Sequence, residues 1–473
     1  MDHSKGEEEE AEPVSPTGQY FNSNVLCVYI VGVLESEVPI DDSQTMSLLK
    51  DVFLPINPRL SSIMVSEENG EKKWKKVEVK LEEHIKVPIF PPENSPESYD
   101  QYFDEYLARI GMERPPENSK PLWEIHIFKY PTRNAAGTLI FKLHHALGDG
   151  YSLMGALLSC LQRVDNPTLP LSFPFGRRLL AQEVAKTSMF WRLPLYFSMV
   201  LNTISDFGQS LRCSVVEDDK TPIRSGDEGV EFRPITITTI SFSLDYVKEI
   251  KSKLGVTIND VITGIIFLGI RLYMQGLNYE SREARSTALV LLNTRNVEGY
   301  QSIKDMIKTD ARGPWGNKIS FLQTSIPQLS NAKFSNPLEF VFEAHQNIRM
   351  KRSSLAVPLT GMFLEMVNKF KGQEAAARHI YKTLRNSSTA ISNLVGPVEQ
   401  MALANHPIKG FYFTMTGGPE SVAISIMSYM GKLRVTLKTE KGFIDEQKLK
   451  SCMGKAYEMI LKAAQEIHIE NNP

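Results

Sequence analysis

His144 and His145 stand side by side in a chain with only nine histidines, and Asp149 follows between Gly148 and Gly150 in the stretch HHALGDG. Histidine is the side chain best suited to accept a proton near neutral pH, because small changes in its surroundings move its pKa across that range. At an extended strand end, neighbouring side chains point to opposite sides, so one ring can face a given cleft while the other serves the structure. Asp149 sits where the chain turns sharply, and a carboxylate there either caps the following helix or pairs with an arginine. A metal site built from both histidines and the aspartate is disfavoured, since adjacent strand residues diverge and no third histidine or cysteine lies near at ligand spacing.

The motif must be held by a strand on one side and a helix on the other. GTLIFKLHH reads as a strand running into it, and YSLMGALLSCLQRV beyond it has the 3.6-residue period of an amphipathic helix. PLWEIHIFKY puts Trp123, Ile125 and Ile127 on one strand face; Trp123 and Glu124 read as packing residues. NVLCVYIVGVLE is a further buried strand, and MSLLKDVFLPINPRL has helical spacing until its prolines stop it. The second half alternates strands (ITITTISFS, STALVLLNTRN, NKISFLQTSIP, TAISNLVGP, SVAISIMSYMGKLRVTLKT) with helices, among them GVTINDVITGIIFLGIRLYM and a last one over 445–466. This predicts an α/β protein of two subdomains with mixed sheets flanked by helices. The expected boundaries are a disordered acidic tail over 1–18, an N-terminal subdomain over 19–165, a crossover over 166–232 and a C-terminal subdomain over 233–473.

The 473 residues are enough for two cores, and 42% of them are hydrophobic. With 53 basic and 55 acidic residues the formal charge is -2, so no global field draws the chain to nucleic acid. Cys27, Cys160, Cys213 and Cys452 are scattered without zinc or dithiol spacing and read as reduced thiols of a cytosol-facing protein. The acidic N-terminus lacks the apolar region of a secretory signal. MFWRLPLYFSMVLNTI, 189–204, is too short for a membrane span and is interrupted by Arg192, Pro194 and Asn202. Its aromatic residues read either as a segment dipping into one leaflet or as a core helix of the crossover.

PLWEIHIF, HHALGDG, TINDVITG and SNLVGP, in that order from Pro121 to Pro397, resemble the plant-type wax ester synthase/diacylglycerol acyltransferase family, and HHxxxDG is the signature of the chloramphenicol-acetyltransferase-like fold shared with peptide-synthetase condensation domains. The resemblance implies two such subdomains with an active-site tunnel at their interface. It implies that His145 is the general base, that His144 supports the site or its intermediate, and that Asp149 and Gly150 shape the turn with Arg295 of NTR as the aspartate's partner. The reaction implied joins an acyl group from acyl-CoA, a substrate and not a cofactor, to a long-chain fatty alcohol or to diacylglycerol. Asn259 and Asp260 are candidates for substrate contact, although Thr257 and Asp260 equally suit a helix cap. Ser392 and Asn393 are candidates for contact with the oxyanion or the alcohol. Because such acceptors live in bilayers, the resemblance favours a membrane lipid surface as partner and the endoplasmic reticulum membrane, with the site facing the cytosol, over a cytoplasmic or plasma-membrane location.

Three other readings stay open at this stage. A soluble acyltransferase of plant specialised metabolism would carry HxxxDG and DFGWG, whereas this chain has GFYFTMTGG. A condensation domain would sit beside carrier domains. A silent lipid-binding relative would have lost His145 or Asp149, and both are present.

Overall fold

Runs of β-branched and aromatic residues become strands in the computed structural model of the protein, which describes residues 12–67, 71–92, 95–114, 119–172, 203–295, 315–330, 333, 335–352 and 355–467. Numbered in chain order, β5 (Ile85–Lys86), β6 (Trp123–Phe128), β7 (Gly137–His144), β2 (Tyr29–Ser36), β14 (His406–Thr416), β13 (Met401–Leu403) and β8 (Gln162–Arg163) form a seven-stranded sheet in that spatial order. A six-stranded sheet runs β11 (Ile319–Ser325), β10 (Thr287–Asn293), β12 (Thr389–Val395), β15 (Val422–Tyr429), β16 (Lys432–Glu440) and β9 (Ile235–Ser243). It is mixed: β10, β12 and β15 lie parallel, and its other pairings are antiparallel.

The central strands β2 and β7 are buried at every position. Val31 and Val33 face Tyr106, Leu107 and Ile110 of the helix Pro96–Met112, whereas Ile30 and Leu34 share a core with Leu153 and Leu157 of the helix Gly150–Ser159. Covered on both faces, such strands read as continuous apolar runs without polar alternation. The helix Ile258–Leu277 is long and apolar enough to cross a membrane, yet 83% of its most apolar window is buried inside the protein. It is the core helix over the six-stranded sheet, packed so closely that a Cβ on Gly264 would lie 2.8 Å from the Cα of Val341.

Three features depart from the sequence-based expectation. Residues 12–18, assigned to the disordered tail, are folded. Glu12–Pro13 (β1) pairs with Lys72–Lys76 (β4), which pairs in turn with Ser62–Ser66 (β3), and a helix follows over Pro16–Phe21. The acidic Glu12 is held by Arg59 at 2.5 Å, while Val14 is only 3% exposed in the core. The boundary at 233 does not separate the sheets, because β14 and β13 from the C-terminal part complete the seven-stranded sheet, with Thr416 opposite Tyr29 and Met415 opposite Ile30. Strand pairing is fixed by edge complementarity in three dimensions, and chain order does not reveal it. The helix expected over MSLLKDVFLPINPRL does end at its prolines, but it is not a regular α-helix up to them: it is α over Thr45–Leu48 and π over Leu49–Phe53, then gives way to 3₁₀ turns at Leu54–Ile56 and Pro58–Ser61, where Pro55 and Pro58 lack the N–H that a regular helix needs.

The polar stretch 217–229 of the crossover is tied to both neighbouring strands. Buried Asp218 accepts hydrogen bonds from the backbone N–H of Thr287 at 2.6 Å and from the Ser388 hydroxyl at 2.8 Å, anchoring the starts of β10 and β12. The apolar segment 189–204 lies outside the described residues up to 202; Thr203 and Ile204 are helical, as are the residues that follow to 213.

Candidate functional site

The two histidines part company at the end of β7. The His144 ring meets Tyr29 edge-on at 4.8 Å, with its Nδ1 accepting the backbone N–H of Ala146 at 3.0 Å and its Nε2 lying 3.5 Å from the Cys27 thiol. Burial, aided by His145 and by the positive charges of Lys72, Lys142 and Arg114, pushes its pKa down to about 3, so the ring stays neutral. With Nδ1 committed as an acceptor, Nε2 carries the proton and points it at the sulfur. A small pocket opens on this side, lined among others by Cys27, Tyr29, Arg114 and Glu420.

His145 points the other way. Its ring lies 4.3 Å from that of Phe21, and Nδ1 is 2.9 Å from Oδ1 of Asn317, whose Nδ2 donates to the His145 carbonyl oxygen at 2.8 Å. Among the described residues nothing hydrogen-bonds its Nε2. Desolvation lowers the His145 pKa, and the Asp149 carboxylate works against that lowering.

Asp149 caps the helix and pairs with an arginine at once. Oδ1 accepts the N–H of Ser152 at 3.1 Å, the N-cap bond of Gly150–Ser159, and Arg295 forks onto both oxygens at 2.6 and 3.0 Å. The backbone N–H of Lys318 donates to Oδ2 at 2.9 Å, so each carboxylate oxygen takes two bonds and the group is fully buried without an unmet acceptor. Arg295 also bonds the Ser152 hydroxyl at 3.1 Å and the Gly316 carbonyl, and its guanidinium lies over the Tyr151 ring. Neither flanking glycine takes a positive φ. They are small for reasons of space: a Cβ on Gly148 would come within 2.9 Å of Ser152, and one on Gly150 within 3.1 Å of Leu394.

That contact brings the SNLVGP strand onto the HHALGDG turn. Ser392 lies two residues before Leu394 on the same face of β12, and it is buried. Asn393 lies on the opposite face and donates to Asn259 at 2.7 Å, pairing two of the sequence-selected residues with each other. Asp260 forms a capping box with Thr257 and accepts from Nδ1 of His345 at 2.8 Å, which makes it a structural junction between helices. Trp123 packs on His84 and donates to the Leu60 carbonyl, and Glu124 pairs with Lys120. Among the described residues no group of three or more histidine, cysteine or acidic side chains could hold a metal.

Reading the sequence motif by motif missed the segment WGNK. Trp315 donates to the Leu147 carbonyl, Gly316 exchanges bonds with the Ser152 hydroxyl, Asn317 holds His145, and Lys318 donates to Asp149. Gly316 has φ +115°, a backbone that favours glycine, and a glycine beside an asparagine at a strand start was the available signal.

The wax ester synthase/diacylglycerol acyltransferase catalytic domain matches residues 58–262, and the C-terminal domain of the same family matches 315–461. Wax ester synthase/diacylglycerol acyltransferase 4 of Arabidopsis thaliana is 28% identical, over 94% of this chain and 88% of its own length. Its paralogue 9 is 29% identical over 94% of each chain. The solved wax ester synthase/diacylglycerol acyltransferase from Marinobacter aquaeolei VT8 superposes with a TM-score of 0.59 at 14% identity, over 96% of this chain and all of its own. The first condensation domain of the CDA synthetase, at 12% identity and covering 93% and 91% of the two chains, gives 0.53. One family model spans the HHALGDG turn and the other begins at the WGNK segment packed on it, and the chain belongs to the wax ester synthase/diacylglycerol acyltransferase family of acyltransferases.

Proposed function

We propose that the protein transfers a fatty acyl group from acyl-CoA to the hydroxyl of a long-chain alcohol, giving a wax ester, and to diacylglycerol as a second acceptor, with His145 as general base. The observation that carries this reading is His145 itself: one ring nitrogen is held by Asn317, and the other makes no hydrogen bond among the described residues. Nε2 takes the proton of the acceptor hydroxyl as its oxygen attacks the thioester carbonyl. The C–O bond forms, the tetrahedral oxyanion collapses, the C–S bond breaks, and the imidazolium returns its proton to the CoA thiolate. No acyl-enzyme is needed. Ser392, on the face of β12 that meets the turn, is the proposed polar contact for the oxyanion or the alcohol. His144 supports the turn from the opposite side as a neutral ring, and acyl-CoA is consumed as substrate with no resident cofactor.

The test supplies labelled palmitoyl-CoA with hexadecanol, with diacylglycerol or with a water-soluble phenolic alcohol, and quantifies ester and free CoA. Ester with either lipid acceptor is the expected result. Transfer to the phenolic alcohol alone would point to a soluble acyltransferase, and no ester from folded protein to a silent lipid-binding relative.

We further propose that it works at a lipid surface, the cytosolic face of the endoplasmic reticulum membrane. An exposed apolar stripe supports this. On the helix Ala356–Lys371, Leu359, Met362, Met366 and Phe370 recur at spacings of three and four, and Met362 and Phe370 are 65% and 75% exposed. A surface helix that is apolar on its outward face as well as its inward one calls for a second apolar partner, and Lys369 and Lys371 beside the stripe suit lipid phosphates. Changing Met362, Met366 and Phe370 together to glutamate should move the protein from the pellet to the supernatant when it is sedimented with liposomes of zwitterionic and anionic phospholipid. Equal sedimentation of the triple variant and the wild type would remove the stripe as the docking face.

A further inference from the structure

We propose that Asn317 is the positioning residue that fixes which nitrogen of His145 is free to accept a proton, an inference that rests on reading His145 as the base. Two hydrogen bonds of one amide fix the arrangement. The His145 backbone carbonyl can only accept, so the group 2.8 Å from it must be the NH₂ of Asn317. That sets the amide's orientation and turns Oδ1 toward the ring nitrogen Nδ1 at 2.9 Å. An amide oxygen can only accept as well, so Nδ1 must carry the hydrogen. A neutral imidazole has a single N–H, which leaves Nε2 with its lone pair. Flipping the amide would set its oxygen against the carbonyl oxygen and lose that bond, which is why the observed pair of contacts selects this orientation.

His144 is locked in the opposite tautomer, because its Nδ1 accepts from the Ala146 N–H. The paired histidines therefore present different nitrogens, and only His145 is arranged with Nε2 as an acceptor. Burial keeps both rings neutral, so the tautomer, and not charge, distinguishes them. The neighbours of Asn317 show why it can act so stiffly: Trp315, Gly316 and Lys318 bond to the Leu147 carbonyl, to Ser152 and to Asp149. The amide is thus held at a fixed distance from the turn that carries its target. It comes from 172 residues away in sequence, two residues before β11, so the turn after a strand of one sheet is tied to the lead-in of a strand of the other.

Asn317→Leu keeps the volume and removes both bonds, and ester formation should fall on the order of 100-fold in kcat with the KM for palmitoyl-CoA little changed. Asn317→Asp still accepts from Nδ1–H but adds a negative charge that favours imidazolium, so the acidic limb of the pH–rate profile should move up by roughly 1–3 pH units. A purely structural role would shift neither quantity selectively. Two-bond ¹H–¹⁵N spectra of protein labelled with ¹⁵N-histidine read the tautomer without reference to activity; His145 should be protonated at Nδ1 in the wild type. A wild-type pH profile and kcat in both variants, with His145→Ala inactive, would overturn the assignment of Asn317, as would a His145 protonated at Nε2 in those spectra. His145→Ala with wild-type activity would instead overturn the reading of His145 on which it rests.

Discussion

Replacing His145 with alanine should lower ester formation by at least ~100-fold, the scale on which a positioned general base acts, while the protein stays folded. The fold is expected to survive because the strand hydrogen bond here, from the His145 N–H to the Val28 carbonyl at 2.9 Å, belongs to the backbone. The ring itself adds its contact with Phe21 and its bond to Asn317. The pH dependence has a definite sign. Burial disfavours the imidazolium and lowers the His145 pKa below the ordinary 6.5, so the base is unprotonated at neutral pH. Activity should therefore rise with pH through a value below 6.5 and be flat across neutrality as far as this group is concerned. Assays of purified wild type and His145→Ala with palmitoyl-CoA and hexadecanol decide the matter. Equal ester yields from the two proteins would sink the base assignment, and an acidic limb above the ordinary histidine range would contradict the role of burial.

The second large effect belongs to the ion pair behind the histidines. Asp149 is fully buried and the side chain of Arg295 nearly so, at 0% and 2% exposure, and each satisfies the other across 146 residues of chain. Truncating either leaves an uncompensated charge in the interior, which costs about 3–5 kcal/mol. Asp149→Ala and Arg295→Ala should each destabilise the protein on that scale in denaturant unfolding followed by circular dichroism. Arg295→Lys should recover little of it, since an ammonium cannot reach both carboxylate oxygens and the Gly316 carbonyl with one planar fork. A loss below about 1 kcal/mol in both alanine variants would show that the pair is no better than a surface salt bridge. Because Asp149 also receives Ser152 and Lys318, the damage should spread to the helix start and to the WGNK segment, and activity should fall with stability.

What could be read from residues alone was local. Thr257 and Asp260 announce their helix start because a capping box closes within four residues, and the structure has that box. Asp149 before an amphipathic run announces a cap by the same logic. The continuous apolar runs of β2 and β7 announce strands covered on both faces. The spacing of the four motifs was enough to point to the family. In each case the partner is a near neighbour or the signal is a period of the backbone itself.

The rest depended on contacts between segments far apart in the chain. No spacing rule links Asn317 to His145, or Cys27 to His144 117 residues later. The order of residues 12–18 came from Arg59 and the core around Val14, and β14 joined the seven-stranded sheet across the domain boundary its position suggested. The sequence by itself determined the elements, the HHALGDG turn and the residue types it carries, since those follow from periodicity and short-range hydrogen bonding. Only the tertiary structure decided which polar partners each histidine ring meets, which strand completes each sheet and which amide reaches His145, because partners chosen by packing across hundreds of residues leave no periodic trace in the chain.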